Sequence, residues 1–293
     1  MMVELLQNLI YAASLGGLYA LFALSVALIF GVGRIANFAN GDLLTVAGYT
    51  VAFTAAFSWP AAVAISIGAT VVLALLMEVA FRPVRTASPT TLLIVSFALS
   101  ALLQNILLLT VTSRPKATSF GIELVQPIQL GPVTTTGIDL VTIAVTVVAV
   151  SALTFVLRRT VVGLRLRASA EDFGMSRLLG VRANGVMAVV FAISGVLAAL
   201  AGIMLTVRVG QLTPTFGLQP VTVAFIAAVL GGLGSLAGAA IGGLIVGALT
   251  VALQVVLPDD LVPYRDAFVF GAVILLLLWR PQGLLASPTG ERV

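Results

Sequence analysis

Between Val209 and Pro258 the chain carries no Asp, Glu, Lys or Arg, and further uncharged runs cover Leu5–Gly33, Leu43–Met77, Thr86–Ser113, Leu140–Leu157 and Ala183–Val207. Crossing a ~30 Å hydrocarbon core takes roughly 20 helical residues, so the two longest runs each hold about two passes. Inside lipid the backbone must satisfy its own hydrogen bonds, and these runs lack the alternation of a membrane-spanning barrel. With 60% hydrophobic and 9% charged residues, a soluble domain would also lack polar surface. The chain reads as an all-α polytopic transmembrane helix bundle. It has about eight or nine membrane segments, one of them short and broken.

Local signals place the passes near 9–31, 42–58, 61–81, 90–111, 138–157, 186–207, 220–232, 237–257 and 265–280. Trp59 suits an interface and Pro60 a first helical turn. Arg82-Pro83-Val84-Arg85 closes the third pass, and a polar loop fills Ser113 to Gly137. Val221–Leu230 is too short to span before Gly231-Gly232, and it follows Pro214 and Pro220, so it reads as a half-helix or re-entrant element. With the N-terminus outside, eleven arginines fall on the inner side: Arg34, Arg82, Arg85, Arg158, Arg159, Arg165, Arg167, Arg177, Arg182, Arg280 and Arg292. Four basic residues fall outside: Arg114, Lys116, Arg208 and Arg265. Positive charge favours the cytoplasm, which puts the C-terminus inside as well. The start, MMVELLQNLIYAAS, has no basic region before its apolar run and does not read as a cleavable signal.

The chain has no Cys and no His, which excludes thiolate or imidazole metal sites, Ser–His triads and disulfides. Its one lysine, Lys116, follows Pro115 rather than a glycine-rich loop, so the chain has no P-loop. The small net charge of +4 follows topology and does not point to nucleic acid.

Six charges crowd between Arg165 and Arg182, on the cytoplasmic side. Ser169 is a candidate N-cap with Glu171 and Asp172 in the first turn, Arg177 near the end and Gly180 as the residue past it. Met175, Leu178 and Leu179 form an apolar stripe that must be buried. Two readings stand: the stripe packs on the chain's own helices, or it docks into a groove on another protein.

RASAEDFGMSRLLGV in this region and GLYALFALSVALIFGVGRIANFANGDL near the start resemble the permease subunit of ATP-binding-cassette importers for branched-chain amino acids. FRPVR at 81–85, LLQN at 102–105, AAVLGGLGSLAGAAIGG at 227–243 and YRDAFVFGAVILLLLWRPQGL at 264–284 are similar too, in the family's order. The resemblance implies that Ser169, Glu171, Asp172, Met175, Leu178, Leu179 and Gly180 belong to a coupling helix, within a cytoplasmic loop 158–185 of a single permease domain spanning 1–293. It implies that cytoplasmic ATP-binding subunits use the ATP, and that this chain binds no cofactor and is not itself an enzyme. A second, homologous permease subunit in a heterodimer and an extracytoplasmic substrate-binding protein are implied as partners. The setting is a bacterial-type plasma (inner) membrane with its lipid. Alternating access would then import branched-chain amino acids or related small polar solutes.

Asn37-Phe38-Ala39-Asn40-Gly41-Asp42 joins the first two passes and is similar to the family's NFAHGE, with Asn40 in place of His and Asp42 in place of Glu. Asn40 is read first as an N-cap of the second pass, with Asn37 and Asn40 otherwise as translocation-path residues. Gln104 and Asn105 lie inside a pass, where amides bond to another helix or line the path. Glu78 and Arg82, four apart, form an interfacial pair. Gly234, Gly238 and Gly242 make one small-residue row, with Ser235, Ala239, Gly243 and Gly247 beside it, suited to close helix packing. The shared seven-residue spacing of Gly41/Gly48 and Gly231/Gly238 hints at an internal repeat. The competing function, an ion-gradient-driven secondary transporter of amino acids, would call for a titratable group at membrane depth, and none of the eleven acidic residues is expected mid-pass.

Overall fold

The computed structural model describes residues 2–111, 114–171, 175, 176, 180, 182–232 and 234–285. The first uncharged run is one helix, α1 (Met2–Gly33), and nearly all of it beyond Ser14 is enclosed by neighbours. It stops at Arg34, whose backbone is left-handed (φ 51°) and whose N–H still reaches the Phe30 carbonyl at 2.8 Å. Residues 34–39 are not helical, and α2 follows at Asn40–Phe53. Ser58 is extended, Pro60 sits in the first turn of α3 (Trp59–Phe81), and a 3-10 turn, Arg82–Val84, ends that helix at Pro83. The Ser88 hydroxyl accepts from the Thr91 N–H at the start of α4 (Pro89–Thr110).

The loop to the next pass is ordered where described. It holds β1 (Lys116–Ala117), α5 (Ile122–Val125) and a hairpin of β2 (Pro127–Leu130) and β3 (Val133–Thr136). The hairpin registers Pro127 with Thr136 and Leu130 with Val133. There follow α6 (Gly137–Arg159), α7 (Val161–Glu171), α8 (Ala183–Val209), β4 (Gln211–Leu212), α9 (Leu218–Gly231), α10 (Leu236–Val256), a 3-10 turn at Asp259–Tyr264 and α11 (Arg265–Trp279). β1 and β4 pair antiparallel, which ties the outer loop to the chain leaving α8.

Among the described residues seven helices are long and apolar enough to cross a membrane, so the bundle is polytopic and helical as expected. The count differs at α2. Its 14 residues span about 21 Å at 1.5 Å each, so the expected pass at 42–58 is a second half-helix beside the expected one, α9.

Small residues set the packing, because lipid-facing apolar surface supplies no drive for helices to associate. A Cβ on Gly243 would overlap the Ala20 backbone and one on Gly247 the Gly16 backbone, which fixes α10 against α1. Gly238 and Gly242 meet the Gly231 and Ala227 carbonyls of α9. Both rows therefore pack within the chain. Gly234 does not join them: it precedes α10 in a turn with φ 100°, and Ser235 caps the helix by accepting from the Gly238 N–H at 3.1 Å. α8 is the second enclosed helix, with Gly195 against α3 and Gly202 against Leu44 of α2.

These contacts give directions. Gly31 lies by Gly234, and Gly16 by Gly247, so α1 and α10 are antiparallel. Gly33 lies by Met187 at the inner end of α8, and Ser14 by Arg208 at its outer end. Leu284 and Leu285 donate their N–H groups to the Leu230 and Gly231 carbonyls, which brings the described C-terminal end to the inner side. A long helix followed by a half-helix thus occurs twice in opposite senses: α1 inward then α2 outward, α8 outward then α9 inward. Such inverted repeats are common in transporters. The glycine matched across it is Gly217 with Gly41, not the spacing Gly231/Gly238, whose members pack on each other.

Candidate functional site

The arginine-rich face is built by helix ends. Thr160 breaks from α6 in an extended conformation, and its hydroxyl accepts from the Gly163 N–H at 3.2 Å, capping α7. Ser169 is therefore not an N-cap: it lies buried in the last turn of α7, a helix that begins at Val161. Apolar Val161 and Val162 hide that start from a reading based on charge. Glu171 closes α7 and is exposed. Met175 is helical and exposed, and Gly180 has φ 84°, the left-handed conformation expected of a residue past a helix end. Asp172, Leu178 and Leu179 lie outside the described residues.

Beneath this face Glu78 is enclosed, its side chain 1% exposed, and receives two guanidinium groups. Arg82 donates through Nε and Nη2 at 2.8 and 2.7 Å, and Arg85 through Nη2 at 2.7 Å. Arg85 also donates to the Asn184 side-chain oxygen at 3.2 Å. The expected pair is thus a triad that links the inner end of α3 to the first turn of α8. Arg34, Arg82, Arg85, Arg182 and Glu171 share a cavity of about 1140 Å³ at this level.

The second polar centre is at the start of α2. Asn40 is the first residue of α2, and its side chain makes no cap bond. Its amide donates to Ser25 Oγ at 2.8 Å and its carbonyl accepts from Ser194 Oγ at 3.1 Å, while the two hydroxyls lie 2.8 Å apart. Ser25 is on α1 and Ser194 on α8, so Asn40 ties three helices. Capping fails because the first N–H groups of α2 already bond to the carbonyls of Asn37, Phe38 and Ala39.

Gln104 of α4 donates from Nε2 to Asp42 Oδ1 at 3.2 Å and to Ser100 Oγ at 2.9 Å, a bond between helices as its amide required. Asn105 points elsewhere. It is exposed and donates to the Ala101 carbonyl of its own helix at 2.7 Å. Asn37 and Asp42 are each only 2% exposed. Among the described residues, neither amide atom of Asn37 has a hydrogen-bond partner, nor has Asp42 Oδ2. Phe38 between them in sequence stacks on Phe97 of α4 and Phe225 of α9, with centroids 4.6 and 4.4 Å apart.

Eleven residues of α2 separate Asp42 from its outer end, about 16 Å, which puts this carboxylate near the middle of a ~30 Å core. The expectation that no acidic residue sits at membrane depth is corrected here. Asp42 looked interfacial only because α2 was taken for a full pass. Missed as well is an outer-side knot, in which Arg208 of α8 pairs with Asp139 of α6 at 2.7 Å and donates to Ser14 of α1. Arg208 closes a helix rather than a loop, and its pairing could have been looked for in a lone charge ending a long uncharged run.

The family described as branched-chain amino acid transport system, permease component, matches residues 8–278. The high-affinity branched-chain amino acid transport system permease protein BraD of Pseudomonas aeruginosa is 34% identical over 98% of this chain and 98% of its own length. LivH of Escherichia coli K12, a permease protein of the same description, is 34% identical over 98% of this chain and 97% of its own. The xylose transport system permease protein XylH of Escherichia coli K12 matches more narrowly, at 32% over 43% of this chain. No solved structure matches. A match that begins in α1, takes in both half-helices and ends in α11 covers every element that builds the two polar centres, and the chain belongs to the permease component family of branched-chain amino acid transport systems.

Proposed function

We propose that this chain is a membrane-spanning permease subunit of an ATP-driven, binding-protein-dependent importer of branched-chain amino acids or related small polar solutes, working by alternating access in a bacterial-type inner membrane. The observation that carries this reading is the similarity to BraD and LivH along 98% of the chain. A chain without a P-loop needs a separate motor, and the cytoplasmic face supplies a place for one. The loop 158–185 of the single permease domain 1–293 is the coupling element. Ser169 anchors it from within, while Glu171, Asp172, Met175, Leu178, Leu179 and Gly180 form the part that meets the ATP-binding subunit. The Glu78 triad carries movement of that loop toward α3 through Arg85 and Asn184. A substrate-binding protein delivers solute outside, and a second, homologous permease completes the path. Asn37 and Gln104 lie beside that path, and Asn40 holds the helices around it.

The test is purification in mild detergent from the native host, with the chain's partners identified by mass spectrometry. A P-loop ATPase is expected with the native chain and is expected to be lost from the E171A/M175K/L178K variant at equal membrane abundance. Recovery of the chain with no ATPase, where known membrane complexes survive, would count against this reading and favour ion-gradient-driven uptake, for which Asp42 is a titratable group at membrane depth.

A further inference from the structure

The starts of α2 and α9 meet near mid-membrane, and the side chains there are unequally satisfied. Asn40 has partners for both of its amide atoms and behaves as a structural tie. Asp42, two residues on, has Gln104 on one oxygen and the Ser100 hydroxyl beside its carboxylate, while Oδ2 has no hydrogen-bond partner among the described residues, and neither has either amide atom of Asn37. Burying an unpaired polar group is costly, and an unpaired carboxylate oxygen more so, unless something else supplies the missing bond. What remains unfilled is chemically specific: a carboxylate oxygen, an amide oxygen and both N–H hydrogens of one side-chain amide. An ammonium group is the donor-rich, positively charged group that this set accepts.

The surroundings extend the match. Phe97, Ser100 and Gln104 stand at i, i+3 and i+7 on α4 and so share one face. That face brings an aromatic stack, Phe38 with Phe97 and Phe225, about two helical turns along α4 from Gln104, the partner of the Asp42 carboxylate, with Ser100 between them. A branched-chain amino acid has the same layout, with a charged amine and an aliphatic side chain on one carbon. We propose that Asp42, helped by Asn37, is the transit site for the α-ammonium group of the solute, with the Phe38 stack beside it taking the aliphatic side chain. This rests on the amino-acid importer reading above. Asp42 and Asn37 are closed off in the present conformation, and the break between residues 34 and 39 is where movement of α2 against α9 would open them.

The test uses the complete complex with its partner subunits in liposomes, comparing L-leucine uptake per ATP hydrolysed. Asp42→Asn is expected to lower that ratio by about tenfold or more, the loss that roughly 1.4 kcal/mol produces, and Asp42→Glu to restore most of it. An unaltered ratio in Asp42→Asn overturns the proposal. Should that variant fail to assemble, Asn37→Cys decides, since the chain has no cysteine of its own. L-leucine is expected to slow its labelling by 2-aminoethyl methanethiosulfonate, and 4-methylpentanoate, which lacks only the amine, is not. Equal protection by both compounds, or by neither, overturns it. A wild-type complex with no ATP-dependent leucine uptake overturns the importer reading and this proposal together, whereas normal wild-type uptake with an indifferent Asp42→Asn variant overturns this proposal alone.

Discussion

Gly41 and Gly217 meet backbone to backbone where the two half-helices begin, and a Cβ on either would collide with the other's carbonyl group. This one approach lets α2 and α9 start at the same depth and run apart, so both breaks in the bundle fall at its centre. Thr45 helps to hold it, because its hydroxyl accepts from the Gly217 N–H at 2.9 Å.

Gly217→Ala should therefore destabilise the chain by about 1–3 kcal/mol through overpacking against fixed backbone. Gly68→Ala is the control, since a Cβ there meets nothing within 4 Å. Thermal unfolding in detergent should separate the two, and equal midpoints would contradict the contact.

Asn40→Ala should cost about 0.5–1.5 kcal/mol, the scale of interhelical hydrogen bonds in membranes. Ser25 and Ser194 can still bond to each other when the amide is gone. Asn40→Asp should be worse than alanine, because it removes the donor to Ser25 and adds a charge among residues with no exposure. An alanine variant with a larger loss than the aspartate would show that packing, not bonding, is what Asn40 supplies.

Glu78→Gln should destabilise by about 3 kcal/mol, because it leaves Arg85, whose side chain is 13% exposed, without its counter-charge. Arg82→Ala should be much milder, since that guanidinium is 41% exposed and water replaces its partner. The order of unfolding midpoints checks this, with wild type highest, R82A next and E78Q lowest.

At the outer knot, Asp139→Leu or Arg208→Met alone should each leave an enclosed charge and cost about 3 kcal/mol. The double variant should recover part of that loss, by about 1–3 kcal/mol relative to simple addition. A double-mutant cycle on unfolding midpoints measures the coupling, and additivity would mean that the pair contributes no mutual stabilisation.

Lipid-facing or packed, a helix of the right length needs only an uncharged apolar run, so the long passes were legible without coordinates. Pro60 marked a helix start, and the glycine rows after Gly231 declared close packing. The half-helix α9 announced itself through Pro214, Pro220 and its short apolar length. α2 concealed the same shape because the uncharged sequence continues past Phe53 into α3. The cap of α7 at Thr160 was hidden by charges that lie further along.

What the linear sequence determined is what depends on a segment's own exchange between water and lipid: that the chain enters the membrane and which of its long apolar helices can cross it. What only the tertiary structure decided depends on partners distant in the chain. Whether Asn40 is a cap or a tie depends on Ser25 and Ser194, 15 residues before it and 154 after. Whether Asp42 lies at the surface or at mid-membrane depends on where α2 begins relative to Gly217. Hydrogen bonds and backbone contacts act over a few ångströms, so their outcome is set only when the helices that carry them are packed together.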